Sequence, residues 1–424
     1  MTQPLPPRRT RKPIDGPLFD RDRLVHQMDA YGLDALVLTS ERSVFYLTGF
    51  NPIAHKADEP RPYALVLKRD ALDDAVLAVA DYYISHFASQ STWVKDIRPV
   101  RAVMVPMDLP FLPERLDRFL SKDAQQMDWI SVARGHYNES MLETIRGALG
   151  DQAIKSARIG FDDLNLGARL GLPTQQVVSA YDVLMATRQF KSATEIDLIL
   201  EATAINEAAI SYAVDNWSEG MRWRDMDANY ALAVVAQGGF IHDPGGMVLA
   251  HPQGADASVS LETGFEDFEL EAGTHVMFDC HGTWQQYCWD GGKTWVVGSE
   301  PSSETRRLVD INAKVMETIE QAMRAGSRVS ELQALGRDVY RKSGVSNADE
   351  VLIFFHGLGL SHMDLPEHLP DGSRNGDWQV ERDMVIATHL LIPGGERERV
   401  WLEDVAVVKD HGGESLFSWD FGLM

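Results

Sequence analysis

The sequence predicts two domains, a smaller α/β unit followed by a larger α+β unit built on an antiparallel sheet. Three observations carry this reading. At 424 residues the chain is long for one compact core, since single cores stop growing at roughly 250–300 residues. Its first part alternates helical apolar spacing with short buried-strand runs, as in a mixed sheet with covering helices. Its second part opens on a strongly capped helix and ends in several strand-like runs.

Residues 1–18 are basic and Pro-rich and lack the apolar stretch of a secretory signal; they are expected to form a poorly ordered arm. Residues 19–180 form the expected first unit. There FDRDRLVHQMDAYGL has helical apolar spacing and DALVLTS reads as a buried strand. SVFYLTGF, PYALVLKRD and DAVLAVAD are further apolar runs between turn residues, and SARIGFDDLNLGARLGL reads as strand, turn and helix start.

The second unit is placed at 181–424. Ser192 and Glu195 have the spacing of a capping box, so a helix should follow. Ile196, Ile199, Leu200, Ile210 and Val214 are expected near one face, with Thr203 between them and Gly220 closing the segment. Helices are also expected over 304–325 and 330–342, each ending before a glycine. THVMFDCH, QQYCWDGG with KTWVVG, MVIATHLLIP and RVWLEDVAVV read as strands. No internal repeat is evident by eye.

Apolar residues make up 44% and charged residues 24% of the chain, an ordinary globular composition. Lys+Arg of 40 against Asp+Glu of 63 gives a net charge of −23. That excess argues against binding nucleic acid or an anionic membrane surface. No apolar run reaches the roughly 20 residues of a membrane span, so a cytoplasmic location is expected. The two cysteines, Cys280 and Cys288, exclude a disulfide framework. They read as small buried residues, with thiolate ligation or nucleophilic action as the alternative.

The chemistry-bearing residues are concentrated late. Asp279 and His281 are two apart on an expected strand and should share a face; a hairpin through Gly282, Thr283 and Trp284 would bring Asp290 beside Asp279. Converging buried carboxylates repel unless a cation lies between them. His356 and His362 follow in the Gly-rich HGLGLSHMD, read as one metal ligand and one proton donor with Asp364 behind them. His389 and Glu403 come on two later strands. Carboxylate and imidazole together suit Mn, Fe, Co or Zn.

The ordered series Asp279, Asp290, His356, position 389 and Glu403 resembles the pita-bread metallohydrolase superfamily of methionine aminopeptidase, prolidase, aminopeptidase P and creatinase. RPYALVL and LDALVLTS look like the creatinase/prolidase N-terminal domain, and RQFKSATEIDLI like the helix opening the catalytic domain. The resemblance covers nearly the whole chain. It implies a pita-bread catalytic domain and one or two divalent metal ions. Asp279 and His356 would each ligate one ion, and Asp290 and Glu403 would bridge. His362 would contact the substrate carbonyl, with His362 and Asp364 as catalytic candidates. A homodimer is also implied.

This chain departs from that pattern at several points. His389 stands where the family has its first glutamate, leaving three carboxylates where four are usual. His281 adds an imidazole beside Asp279, so the site has more nitrogen ligands and could hold a single ion. The family's upstream substrate histidine has no clean match; His251 is the candidate, and His242 a weaker one. Trp401 replaces a basic residue. His251, His281 and Trp401 are thus the candidate substrate-binding residues. Trp284, Trp289, Trp295 and Trp401 cluster around the site segment as core or dimer contacts, one or two of them candidates for an apolar substrate wall.

The expected function is metal-dependent hydrolysis of a C–N bond in a small molecule or short peptide of the Xaa-Pro or amide type. A nonpeptidase reaction on the same fold, as a lyase or a creatinase-like amidinohydrolase, is the alternative. A noncatalytic binding protein is the third.

Overall fold

The computed structural model describes residues 3–14, 16–52, 61–102, 112–250, 267–364, 376–393 and 399–422, without the side chains of residues 113 and 242–249. The chain divides into two compact units, Lys12–Thr187 and Arg188–Met424, the latter together with Met1–Arg11.

Six strands form the sheet of the first unit: β1 Ala35–Leu38, β2 Tyr63–Lys68, β3 Val76–Ala80, β4 Asp96–Val100, β5 Ile159–Phe161 and β6 Val177–Ser179. Their order is β4-β3-β2-β1-β5-β6. β1 pairs antiparallel with β2 and parallel with β5, so the sheet is mixed. Every residue of β1 and β3 is buried, which is why they read as continuous apolar runs without alternation. SVFYLTGF forms a helix, Glu41–Thr48, because Ser40 caps it by accepting from the Ser43 N–H and Gly49 closes it at φ 74°.

The second unit holds β7 Phe240–Ala250, β8 His275–Trp284, β9 Tyr287–Trp289, β10 Gly292–Val296, β11 Leu352–Gly357, β12 Val385–Ile392, β13 Val400–Val408 and β14 Gly413–Ser415. They form an eight-stranded sheet in the order β11-β12-β13-β10-β8-β7, with β14 beside β13 and β9 beside β8. All of these pairings are antiparallel, as expected for the α+β unit. β11, which carries His356, lies in a segment whose glycines hide its strand character in the sequence.

The capping box on helix Ala193–Asp215 is present. Its buried face runs through Leu198, Ile199, Ala202, Ile205 and Ala209, and Leu200 is exposed rather than on the inner face. The later helices are Ser303–Ala322 and Val329–Lys342, and helix Trp223–Gln237 adds a fourth. Three residues near the N-terminus make contacts within the second unit. Gln3 N–H donates to Asn216 Oδ1 at 2.8 Å, Arg9 N–H donates to Gln237 O at 3.0 Å, and the Arg11 guanidinium lies 5.6 Å from the Trp284 ring.

An internal repeat, not evident in the sequence by eye, emerges from the hydrogen bonds. Tyr230 Oη donates to Asn206 Oδ1 at 2.9 Å, and Asn206 Nδ2 donates to Gly291 O. Tyr340 Oη donates to Asn312 Oδ1 at 2.7 Å, and Asn312 Nδ2 donates to Val400 O. Arg222 precedes one short helix and pairs with Asp267; Arg328 precedes the other and pairs with Asp377. Gly273 and Asp383, with φ 95° and 64°, lead into β8 and β12 at matching positions. Counting on from them, Asp279 in one half corresponds to His389 in the other.

Candidate metal centre

Asp279 and His281 project from one face of β8, while Cys280 between them is fully buried. The hairpin turns later than the sequence reading placed it: Gln285 and Gln286 take φ 47° and 72°, and β9 pairs back with Gly282↔Trp289. This two-residue left-handed turn suits the twist of the strands. Asp290 follows β9 and is fully buried. After it Gly291 adopts φ 101°, and at Gly292 a Cβ would come within 2.3 Å of Phe278 O, so only glycine lets the chain return to the sheet here.

The second half of the unit supplies the remaining groups by register. His389 on β12 lies opposite Phe354 on β11 and opposite Glu403 on β13. His356 follows two residues after Phe354, and His362 lies in the loop beyond β11. Four residues, Asp290, His356, His389 and Glu403, each offer a ligand atom within 4.8 Å of the others, and all are buried; His281, Asp290 and His362 form a second such group. Asp290 is common to both.

The donor chemistry fits a divalent cation. Asp290 Oδ2 lies 3.3 Å from His356 Nε2 and 2.6 Å from His362 Nε2, and His389 Nε2 lies 2.9 Å from Glu403 Oε1. Yet Asp290 Oδ2, His356 Nε2, His362 Nε2, both Glu403 oxygens and Asp279 Oδ1 are buried without a hydrogen-bond partner. Buried polar atoms are nearly always satisfied. Atoms that crowd together at these distances without hydrogen-bond geometry are arranged as ligands around a common point.

The electrostatics agree. Burial and the neighbouring Asp290 and Asp279 charges push the Glu403 carboxyl well above its usual range. Burial opposes ionisation of Asp290 as well, but the imidazoles of His281, His356 and His362 hold it well below the usual range. Burial, followed by repulsion from His356, lowers His389 to about 3, leaving a neutral imidazole. His281 is raised to about 10 despite its burial, by Asp279 and Asp290. Three converging carboxylates thus call for positive charge.

The remaining sequence candidates fall in different places. Asp364 is 1% exposed and pairs with Arg188 Nη2 at 2.6 Å and Lys191 Nζ at 3.3 Å. Its carboxylate is thus paired with two buried cations. Gly359 is required beside it, since a Cβ there would stand 2.3 Å from Asp364 Oδ2. Trp401 sets its ring edge-on to His389, with centroids 5.5 Å apart, and is 7% exposed. Trp284, Trp289 and Trp295 lie in the apolar core. Cys280 and Cys288 are buried and form no disulfide; burial and the Asp279 charge raise the Cys280 thiol well above its usual range, which excludes a resting thiolate there. His242 falls on β7, and His251 lies outside the described residues.

Sequence reasoning missed Phe354, whose ring stacks on His389 with centroids 4.0 Å apart and planes 18° from parallel. The period-two relation of Phe354 and His356 was a usable signal, had the segment been recognised as a strand. It also missed the buried Glu195 carboxyl, which accepts from Tyr287 Oη and is raised to about 7, chiefly by burial.

An antiparallel sheet that gathers buried carboxylates and imidazoles able to hold a metal ion defines a protein of pita-bread architecture with a candidate metal centre. The chain belongs to metallopeptidase family M24, which matches residues 197–410, and residues 21–195 match the creatinase/prolidase N-terminal domain. It is 25% identical over 246 residues to the Xaa-Pro dipeptidase of Pyrococcus furiosus, covering 55% of this chain and 65% of that protein. It is 22% identical over 308 residues to the creatinase of a Bacillus species, covering 67% of this chain and 72% of that protein. The dipeptidase structure from Pyrococcus horikoshii shares the fold with a TM-score of 0.67 at 17% identity, covering 95% of this chain and 99% of that one. Among the described residues no helix is long and apolar enough to cross a membrane.

Proposed function

We propose that the protein is a metal-dependent hydrolase that cleaves a C–N bond in a small substrate of the Xaa-Pro or related amide type. The observation that carries this reading is the set of buried, unpartnered atoms on Asp279, Asp290, His356 and Glu403, with His389 Nε2 2.9 Å from Glu403 Oε1. Family membership and the likeness to Xaa-Pro dipeptidases support it. One or two divalent ions of Mn, Fe, Co or Zn are assigned to these residues. Such an ion supplies Lewis-acid polarisation and an acidified water.

The chain's own residues set the rest. His362, the most exposed of the four imidazoles at 42% of its side chain, is assigned to hold a proton against the substrate's carbonyl oxygen. Phe354 and Trp401 flank His389 and exclude water from that side. Asp364, through Arg188 and Lys191, positions the loop bearing His362. We further propose a homodimer, as the family resemblance implies, and a cytoplasmic protein, which two cysteines not joined in a disulfide support.

Dialysis against a chelator should abolish hydrolysis of Xaa-Pro dipeptides, and Mn or Co should restore it; full activity in the metal-free protein would refute the reading. A nonpeptide C–N bond, as in the creatinase-like alternative, is favoured by one observation, His389 in place of a carboxylate. Assaying dipeptides beside small amides and guanidino compounds separates the two.

A further inference from the structure

His281 is not needed by the ligand set above, yet it is placed among it. Its Nε2 lies 3.0 Å from Asp290 Oδ1 and 3.3 Å from Asp279 Oδ1. Asp279 Oδ1 is nevertheless buried without a hydrogen-bond partner, so the His281 contact with it lacks hydrogen-bond geometry. That is the relation His356 Nε2 has to Asp290 Oδ2 in the first group. The His281 ring also packs against His362, centroids 4.2 Å apart, and both rings offer a ligand atom to the group that includes Asp290.

We propose that His281 is itself a metal ligand, forming with Asp279 and Asp290 a second cation position next to that of His356, His389 and Glu403, with His362 beside it as the proton-holding group. This deepens the hydrolase reading and rests on it. Asp290 is the carboxylate shared by the two positions. Cis ligand atoms around an ion at about 2.1 Å stand roughly 3 Å apart, which the His281 contacts match. Each position then has imidazole ligands, and the three carboxylates Asp279, Asp290 and Glu403 carry the negative charge. Imidazole favours Zn, Fe, Ni or Cu, whereas carboxylate-rich shells suit Mn. His281 and His389 together therefore move the centre from manganese towards nitrogen-seeking ions, on both sides of Asp290.

The test is metal stoichiometry and selectivity of the full-length protein, measured by equilibrium dialysis with zinc or manganese and elemental analysis. Wild type is expected to bind two zinc ions per chain and His281→Ala one. His281→Asp, which returns a carboxylate, should keep two while its zinc-over-manganese preference falls about tenfold or more, a change at least as large as an outer-shell substitution produces. Anomalous scattering from zinc-loaded wild-type crystals should place His281 Nε2 within bonding distance of an ion, a readout that needs no variant to fold. One ion in the wild type, two retained by His281→Ala, or His281 outside bonding distance would each overturn the proposal and leave the hydrolase reading standing. A wild type that binds no ion would remove both.

Discussion

His389 and Glu403 face each other directly across the β12–β13 ladder, with His389 Nε2 2.9 Å from Glu403 Oε1. Because the second half of the unit repeats the first, His389 also stands where Asp279 stands in the other half. The centre is therefore built from equivalent strand positions, one filled by carboxylate and one by imidazole. The imidazole is neutral because burial and His356 lower it to about 3, so its lone pair is free for a metal at any ordinary pH.

Replacing His389 by Ala removes a buried imidazole, the ligand proposed above, from the centre of the strand. Metal affinity should fall at least 10–100-fold, the range typical even of outer-shell changes, and activity should fall with it at limiting metal. His389→Glu should recover binding and raise affinity for manganese relative to zinc. Titration of the metal-free proteins checks both, and an unchanged affinity in His389→Ala would remove it from the ligand set.

Asp364 is the site candidate that pairs with two buried cations, Arg188 and Lys191. Asp364→Asn should cost about 3–5 kcal/mol, as expected when one partner of a buried pair is removed. Thermal unfolding should show that loss. Turnover of the folded, metal-loaded fraction at low temperature should change far less; a large kcat defect with normal stability would restore the catalytic assignment.

Phe354 lies flat against His389 at 4.0 Å and is 40% exposed, so part of its ring is available to a bound molecule. Phe354→Ala should raise KM for substrates with an apolar residue next to the scissile bond by about tenfold and leave kcat nearly unchanged, the signature of lost uniform binding. Steady-state kinetics across a dipeptide series would show this. A kcat effect with constant KM would instead make Phe354 a support for His389.

How much of this was legible in the sequence depended on what each residue's signal required. Asp279 and Glu403 were readable because each sits in a strand whose apolar run is unmistakable, and Asp290 because it directly follows the short strand Tyr287–Trp289. β11 was not, since glycines at 357 and 359 mask the strand Leu352–Gly357 that carries His356. The partner of Asp364 was unreadable for a different reason: Arg188 and Lys191 are distant in sequence, and an ion pair leaves no periodicity. The repeat escaped because its anchors, Asn206 with Tyr230 and Asn312 with Tyr340, are hydrogen-bond partners on diverged helices. The pattern of apolar residues around them carries no sign of it.

A last prediction concerns pH and a carboxyl pair behind the sheet. Burial, then the charge of Asp404, raises Glu320 to about 11, and burial raises Asp404 to about 6. Both folded values lie above the ordinary 4.5 and 3.8, so the native protein holds protons that the unfolded chain releases. The native state binds more protons across this window, and stability must fall as pH rises. The pair's contribution is complete below about pH 4 and is lost progressively towards pH 11. Glu320→Gln keeps the shape and a donor to Asp404 but cannot ionise. Its unfolding temperature should match the wild type most closely near pH 4 and exceed it increasingly from pH 7 to 9. Parallel melting curves for the two proteins would refute a shared proton between Glu320 and Asp404.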